Sequence, residues 1–329
     1  MDRVGDEVAS EVAARLSTVE LRRTRVLVTG VGGFIGGFLA RYLADHGYEV
    51  VGTARDRGRV AAEIRVVCLA IHEFEINGLS DWTSLLEGID VVVHCAAHVH
   101  VRRPSELDQR LFREVNVEGA RSLAQACRAL DVRLLINISS ISADPLIQDV
   151  KSQGYGLSKR EAEQAVAEVL GEGSCVYLNL RLPAVYGPGS KGALRFLQRW
   201  VSRGLPLPDL SESPKRSYLS VWNLADCIQH CIEQPSIKSE TVALADPLPL
   251  NLTELLTVIS EAVGRRPRFV PVAGWFMAIL VRALGVGREF GRGMTSAVID
   301  PADAEAKLGW RPVLGAREAW RREAGASRV

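Results

Sequence analysis

The spacing of apolar residues changes period along the chain, and the changes predict its elements. Arg25–Val28 is a short β-branched run. Phe34–His46 then repeats its apolar residues at helical spacing and is closed by Gly47, a residue suited to a helix C-cap. Tyr48–Thr53 returns to strand character, which completes a βαβ unit. Ile64–Cys68 reads as a strand piece, Phe74–Ile76 less distinctly so, Trp82–Glu87 as a helix and Val91–His94 as a strand. Leu111–Leu130 has helical periodicity. Leu134–Ile138 is apolar throughout, as expected of a strand covered on both faces of a parallel sheet. Ser158–Leu170 predicts a helix and Val176–Leu180 a strand. This alternation predicts an α/β fold, a Rossmann doubly wound parallel sheet. After Pro183 the elements shorten and Pro and Gly thicken, which predicts a smaller C-terminal domain.

Composition narrows the partners. With 329 residues the chain suits one large α/β domain or two closely packed ones. Forty basic and 39 acidic residues leave a net charge of +1, so neither nucleic acid nor an anionic membrane is expected as the main partner. A substrate phosphate would be met by a few local arginines. The 6 cysteines form no CxxC pair and several lie in apolar runs, which predicts buried free thiols and a reducing, cytoplasmic location. Asp2, Asp6, Glu7 and Glu11 leave no apolar core for a signal peptide. The longest apolar stretch, Trp275–Val281, ends at Arg282 and falls far short of the roughly 20 residues of a membrane span. A buried or groove-lining helix is expected there, with no stable membrane insertion. Residues 1–23 form an N-terminal extension in which Val8, Val12, Leu16 and Val19 recur at helical spacing. A short amphipathic helix, a loose segment and a surface for a partner subunit all fit that pattern.

Between the first strand and the first helix lie Gly30, Gly33 and Gly36. Gly30 suits a tight turn, Gly33 lets the backbone approach a pyrophosphate, and Gly36 lets the helix pack against the strand. The helix N-terminus adds free N–H groups and a partial positive charge. This context points to dinucleotide binding. At the end of the second strand Ala54 stands where NAD binders place a carboxylate, and Arg55 follows with a charge able to pair with a 2′-phosphate. NADP(H) is therefore favoured over NAD(H). A one-residue shift would bring Asp56 to the ribose instead.

Tyr155 and Lys159 stand four apart, on one face of a helix. Reducing a ketone needs an acid at the carbonyl oxygen as hydride arrives, and oxidation needs the matching base. A free tyrosine, with a pKa of about 10, is a poor base at neutral pH, and a nearby ammonium favours its phenolate. The same lysine can hold the nicotinamide ribose. Ser140, just beyond the Leu134–Ile138 strand, can donate a second hydrogen bond to the carbonyl oxygen.

The segments TGVGGFIG (29–36), VVVHCAA (91–97), NVEG (116–119), SS (139–140), YGLSK (155–159), LRLPAVYGPG (180–189), RSYLSVWNLAD (216–226) and LGWRP (308–312) follow one another in order. As a set they resemble the extended short-chain dehydrogenase/reductases, the group that includes UDP-glucose 4-epimerase, over residues 24–320. AAHVHV (96–101), GSKGALRFL (189–197), RGLPLP (203–208) and the apolar run from Trp275 look like the bacterial nucleotide-sugar 4-ketoreductases.

That resemblance implies a Rossmann domain over 24–185 and a mainly substrate-binding domain over 186–329, with elements at about 216–244 returning to the Rossmann sheet. It implies Ser140, Tyr155 and Lys159 as catalytic residues. Cofactor contacts are implied for Gly30, Gly33, Phe34, Ile35, Gly36, Arg55, Ala96, Ala97, Pro183 and Val185, with Ala184 in the same loop. Glu75, near the end of the third strand, is expected at the adenine amino group. His98, Lys191 and Arg216 are expected to contact substrate, Arg216 through the nucleotide's phosphates. Helices containing 111–130 and 158–170 would form a homodimer interface. Ala143-Asp144-Pro145 and Ala193 depart from that branch and imply an altered substrate pocket. His94, His98 and His100 have no acidic cluster beside them; packing and one substrate hydrogen bond are expected of them, and no metal.

The activity expected is NADPH-dependent reduction of a UDP-4-keto-6-deoxy-hexosamine at C4. An NAD-dependent 4-epimerase, a reductase of a non-nucleotide ketone and a non-catalytic dinucleotide sensor are the other readings. Sensors of this kind commonly lack the tyrosine or lysine that this chain retains.

Overall fold

The structure is a computed structural model that describes residues 23–99, 105–147, 153–190, 192–271 and 297–326. Its centre is a sheet whose strands are β1 (Arg25–Thr29), β2 (Glu49–Ala54), β3 (Ala70–Glu73), β4 (Val91–His94), β5 (Leu134–Ser140) and β6 (Val176–Leu182). Three short strands follow, β7 (Ala184–Tyr186), β8 (Leu207–Pro208) and β9 (Tyr218–Ser220), before β10 (Glu240–Ala243) joins the large sheet. Seven strands lie in the order β10-β6-β5-β4-β1-β2-β3, every pair parallel. The order reverses between β1 and β4, the point where α/β sheets open a crevice at the carboxyl ends of their strands.

Strand sequences explain the layers. Along β1, Val26 and Val28 face one core and Leu27 the other, the period of two that a sheet imposes. On the first face, helices α1 (Phe34–Asp45) and Val221–Glu233 cover the sheet through residues such as Leu39, Leu43, Leu224 and Ile228. On the second face, helices Gly119–Ala129 and Gln153–Leu170 pack with Leu123, Ala162 and Val166 against Val92 and Leu135. With both faces covered, β4 is buried at all its positions.

A third core lies beyond Tyr186. There β7 pairs with β9, and β8 with β11 (Phe269–Val270). Tyr186 stacks on Trp320 at 4.5 Å, and Leu255, Ile259 and Val201 fill the space around them. Helix Val221–Glu233 and strand β10 carry the chain back to the large sheet.

The expected sheet and its order of elements are present, and several boundaries differ. Residues Ala62–Val67 form a helix, not a strand. The β-branched residues mislead there: Ile64 and Cys68 are buried while Val66 is 83% exposed, the phase of a helix turn laid on α1. Consequently the third strand is Ala70–Glu73, and Phe74–Ile76 lies in the loop after it. The helix expected from Leu111 is a π-helical turn, Phe112–Glu118, between α-helical segments Glu106–Leu111 and Gly119–Ala129. Residues 1–22, His100, Lys191 and the Trp275–Val281 run lie outside the described residues. Among the described residues, no helix is long and apolar enough to cross a membrane.

Candidate active site

The glycine turn joins β1 to α1 at the carboxyl edge of the sheet. Gly30 takes φ 73°, and a Cβ there would stand 3.1 Å from the Ala96 backbone. A Cβ on Gly36 would fall on the Gly30 carbonyl. The turn is tied down by N–H groups of Gly30 and Val31 donating to the Thr53 carbonyl, at 2.9 and 3.0 Å. Gly33 is the N-cap of α1 and makes no side-chain cap, so the first turn presents its N–H groups outward, with Phe34 and Ile35 at its head.

Behind the turn, the Thr29 hydroxyl is hydrogen-bonded to His94 Nδ1 at 2.9 Å and accepts from the Ala96 N–H at 3.0 Å. Thr29 thereby locks Ala96 and Ala97 beside the glycines. Burial, with help from the Lys159 charge, pushes His94 down to about 3, so its ring stays neutral. Its place is structural.

Ser140 is the last residue of β5. Tyr155 and Lys159 lie in the first two turns of helix Gln153–Leu170, which crosses the end of that strand. Three contacts bring helix and strand together. The Lys159 ammonium donates to the Ile138 carbonyl at 2.8 Å. Arg160 Nε donates to the Ala143 carbonyl at 2.7 Å. Gly156 lies so close to Ser142 that any Cβ would strike its carbonyl. The Ser140 hydroxyl accepts from the Ser142 N–H at 3.2 Å. Tyr155 is half-buried with its ring edge-on to Phe112 at 6.1 Å. Lys159 is buried, and desolvation lowers its ammonium to about 8. Cys95 and Glu163 pull the other way.

The remaining expected residues sit around this centre. Arg55 and Glu75 are exposed on the loops that follow the paired ends of β2 and β3. Asp56 is committed to its own turn: it accepts from the Gly58 N–H at 2.8 Å and pairs with Arg59 at 3.0 Å. Pro183 and Val185 follow β6. Arg216 lies farther along the chain, bridged through its backbone to Leu250 and Ala297.

His98 Nε2 pairs with Asp108 at 3.2 Å, and its ring packs on Phe112 at 5.1 Å, the ring that also meets Tyr155. Hydrogen bonds from Ser105 and then from His98 hold the Asp108 carboxyl below its usual range. Asn116, in the π-helical turn, accepts from the His98 N–H at 2.7 Å and donates to the His98 carbonyl and to the Ser158 hydroxyl, each at 3.0 Å. Thr29, Asn116 and Asp108 were given no role by the sequence. Thr29 and Asn116 lie inside the TGVGG and NVEG motifs, which was their only signal; Asp108 had none.

These parts fit a nicotinamide dinucleotide: a glycine cradle that a Cβ would fill, an open helix N-terminus, and a tyrosine–lysine–serine set at the same edge of the sheet. When bound, the nicotinamide supplies or accepts hydride. Of the residues at that edge, Lys159 can hold positive charge, Tyr155 can move a proton and Ser140 can donate a hydrogen bond. Fold and site together define an enzyme of the extended short-chain dehydrogenase/reductase type.

The chain belongs to the NAD dependent epimerase/dehydratase family, whose model matches residues 26–244. It is 29% identical to a UDP-glucose 4-epimerase of Vibrio cholerae over 320 residues, covering 92% of this chain and 94% of that protein. Among solved structures, UDP-glucose 4-epimerase from Thermotoga maritima with UDP-glucose is similar at a TM-score of 0.71 and 19% identity, over 93% of this chain and 99% of that one. UDP-glucuronic acid 4-epimerase from Bacillus cereus in complex with NAD is similar at 0.70 and 18%, over 93% and 99%. At such identities the structural likeness speaks to fold.

Proposed function

We propose that the chain is an NADP(H)-dependent reductase of a nucleotide-sugar 4-ketone, of the UDP-4-keto-6-deoxy-hexosamine type. The observation that carries this reading is the buried Lys159, one turn along the helix from Tyr155 and bonded to the Ile138 carbonyl two residues before Ser140 at the carboxyl end of β5. In this reading Tyr155 delivers the proton to the C4 oxygen as hydride arrives, Ser140 steadies that oxygen, and Lys159 holds the ribose and favours the phenolate that remains. The preference for NADP(H) rests on Arg55 and on Asp56 being occupied by Gly58 and Arg59. Gly30, Gly33, Phe34, Ile35, Gly36, Ala96, Ala97, Pro183 and Val185 would line the cofactor, with Glu75 at the adenine. His98, Lys191 and Arg216 would meet the substrate. A cytoplasmic homodimer through the helices at 111–130 and 158–170 completes the reading.

A second reading, a nucleotide-sugar 4-epimerase, is favoured by the likeness to the Vibrio cholerae enzyme along nearly the whole chain. The two differ in bookkeeping of cofactor. A reductase consumes NADPH in proportion to the 4-keto sugar supplied. An epimerase interconverts UDP-sugars with no net change in nicotinamide and keeps its cofactor through purification. Mixing the protein with a UDP-4-keto-6-deoxy-hexosamine and either NADPH or NADH, while following reduced nicotinamide, separates them. Stoichiometric loss of NADPH supports the reductase; no loss, with UDP-glucose or UDP-N-acetylglucosamine epimerised instead, overturns it.

A further inference from the structure

Beneath the catalytic residues lies a set of charges that the proposed chemistry does not use. Glu163 is one helical turn beyond Lys159 and 5% exposed. Its carboxylate accepts from the Ser139 hydroxyl at 2.5 Å. It also accepts from Arg181 in a fork, Nη2 at 2.8 Å and Nε at 3.0 Å. Arg181 is the β6 residue in register with Ser139, and its Nη1 reaches Asp144 at 3.2 Å. Asp144 in turn accepts from the Leu146 N–H at 2.9 Å. The chain Ser139–Glu163–Arg181–Asp144 therefore clasps both sides of Ser140, the strand before it and the turn after it.

A buried carboxylate is costly unless paired and fully hydrogen-bonded, and this one is both. A packing role alone would be met as well by an apolar residue. What an apolar residue would not supply is a negative charge next to the buried Lys159, and a rigid link from the lysine's helix to the serine's turn. We propose that Glu163 is a positioning residue of the reaction. It locks the Ser140 end of β5 and the turn through Asp144 against the helix of Tyr155 and Lys159, and it supports the lysine's ammonium from one turn away.

The groups facing Lys159 are His94 at the end of β4, Cys95 just after it and Glu163 from its own helix. Those facing Glu163 are Ser139 from β5 and Arg181 from β6, with Asp144 behind the arginine. Only Glu163 among them is a carboxylate next to the ammonium. The Arg181 charge, no longer neutralised, would act with its loss.

This inference rests on the reading of Tyr155 and Lys159 as catalytic, and the test separates the two. Lysine side chains labelled for NMR are titrated in the wild type, Glu163→Gln and Glu163→Asp, with Lys159→Met identifying the Lys159 signal. This needs neither substrate nor cofactor. The Lys159 midpoint is expected to fall by about one pH unit in Glu163→Gln and to stay near the wild-type value in Glu163→Asp. Turnover of whichever UDP-sugar the wild type accepts is then followed against pH. Glu163→Gln is expected to lower kcat about tenfold or more, with KM within about twofold, and to move the alkaline limb to lower pH. Asp144→Asn, which leaves the buried pair intact, is expected to lower kcat about threefold without moving that limb. An unmoved Lys159 midpoint in Glu163→Gln overturns the electrostatic part. Unchanged kcat in Asp144→Asn overturns the positioning part, and decides it even if Glu163→Gln fails to fold. A wild type inactive on every UDP-sugar removes the substrate reading while leaving the titration to judge Glu163.

Discussion

On the cofactor side of the crevice, positions are fixed by backbone. Gly30 and Gly36 allow carbonyls and N–H groups to lie where any side chain would collide, and β1, β4 and β5 are held rigid by a sheet buried on both faces. In the third core, beyond Tyr186, the strands shrink to two or three residues, and order comes from buried side chains instead. There Asp246 accepts from the Tyr186 hydroxyl at 2.6 Å, the Ser220 N–H at 2.9 Å and Asn223 Nδ2 at 2.7 Å. Asn223 goes on to hold Leu314 in both directions, at 2.9 Å each way. The contrast suggests where change is tolerated. A cradle made of backbone serves every substrate of such a fold, whereas a region ordered by individual side chains can be retuned one residue at a time.

Substitutions at four positions would break or sharpen that comparison. The largest effect is expected from Tyr155→Phe, which leaves both frameworks intact and removes only the hydroxyl proposed to donate the proton. Turnover should fall at least about a thousandfold, with cofactor affinity within about twofold by fluorescence titration. Full activity would end the catalytic assignment. Gly30→Val attacks the backbone cradle: the positive φ and the Ala96 backbone at 3.1 Å leave no room, and dinucleotide affinity should drop about a hundredfold or the fold should be lost. Calorimetric binding at wild-type strength would refute the backbone account.

Asp246→Ala attacks the side-chain framework and is expected to cost about 2–4 kcal/mol in denaturant unfolding, because three donors lose their acceptor. Burial lifts the Asp246 carboxyl to about 6, above its unfolded value of about 4. The folded state thus binds the proton more tightly, so stability from protonated Asp246 is present below about pH 4 and is lost as pH rises through about 6. Asp246→Asn should lack that loss, and parallel stability curves for the two proteins between those pH values would contradict the burial argument. Arg55→Ala should have the smallest effect, weakening NADPH relative to NADH by about tenfold in competition binding, since an exposed arginine–phosphate pair is partly screened. An unchanged ratio would place the 2′-phosphate elsewhere.

The fold was legible where local pattern and tertiary demand agree. The all-apolar run at Leu134 and the glycine turn flanked by strand and helix each specify their own geometry. The pattern misled at Ala62–Val67, where β-branched residues form a helix because only Ile64 needs to face α1. Of the candidate site, the proposed set Ser140, Tyr155 and Lys159 was legible because its spacing is short and fixed by one strand and one helix. Asp108 and the supporting role of Asn116 could not, since each acts on residues that local spacing does not connect to it.

By itself, then, the sequence determined the βαβ cradle, the parallel sheet and the tyrosine–lysine pair, each dictated by backbone geometry within a few residues. Only the tertiary structure decided that Glu163 meets Ser139 and Arg181, that Asp56 turns to its own loop, and that Asp246 gathers three donors. These are meetings of side chains brought together by packing, with energies set by burial and charge that no local spacing encodes.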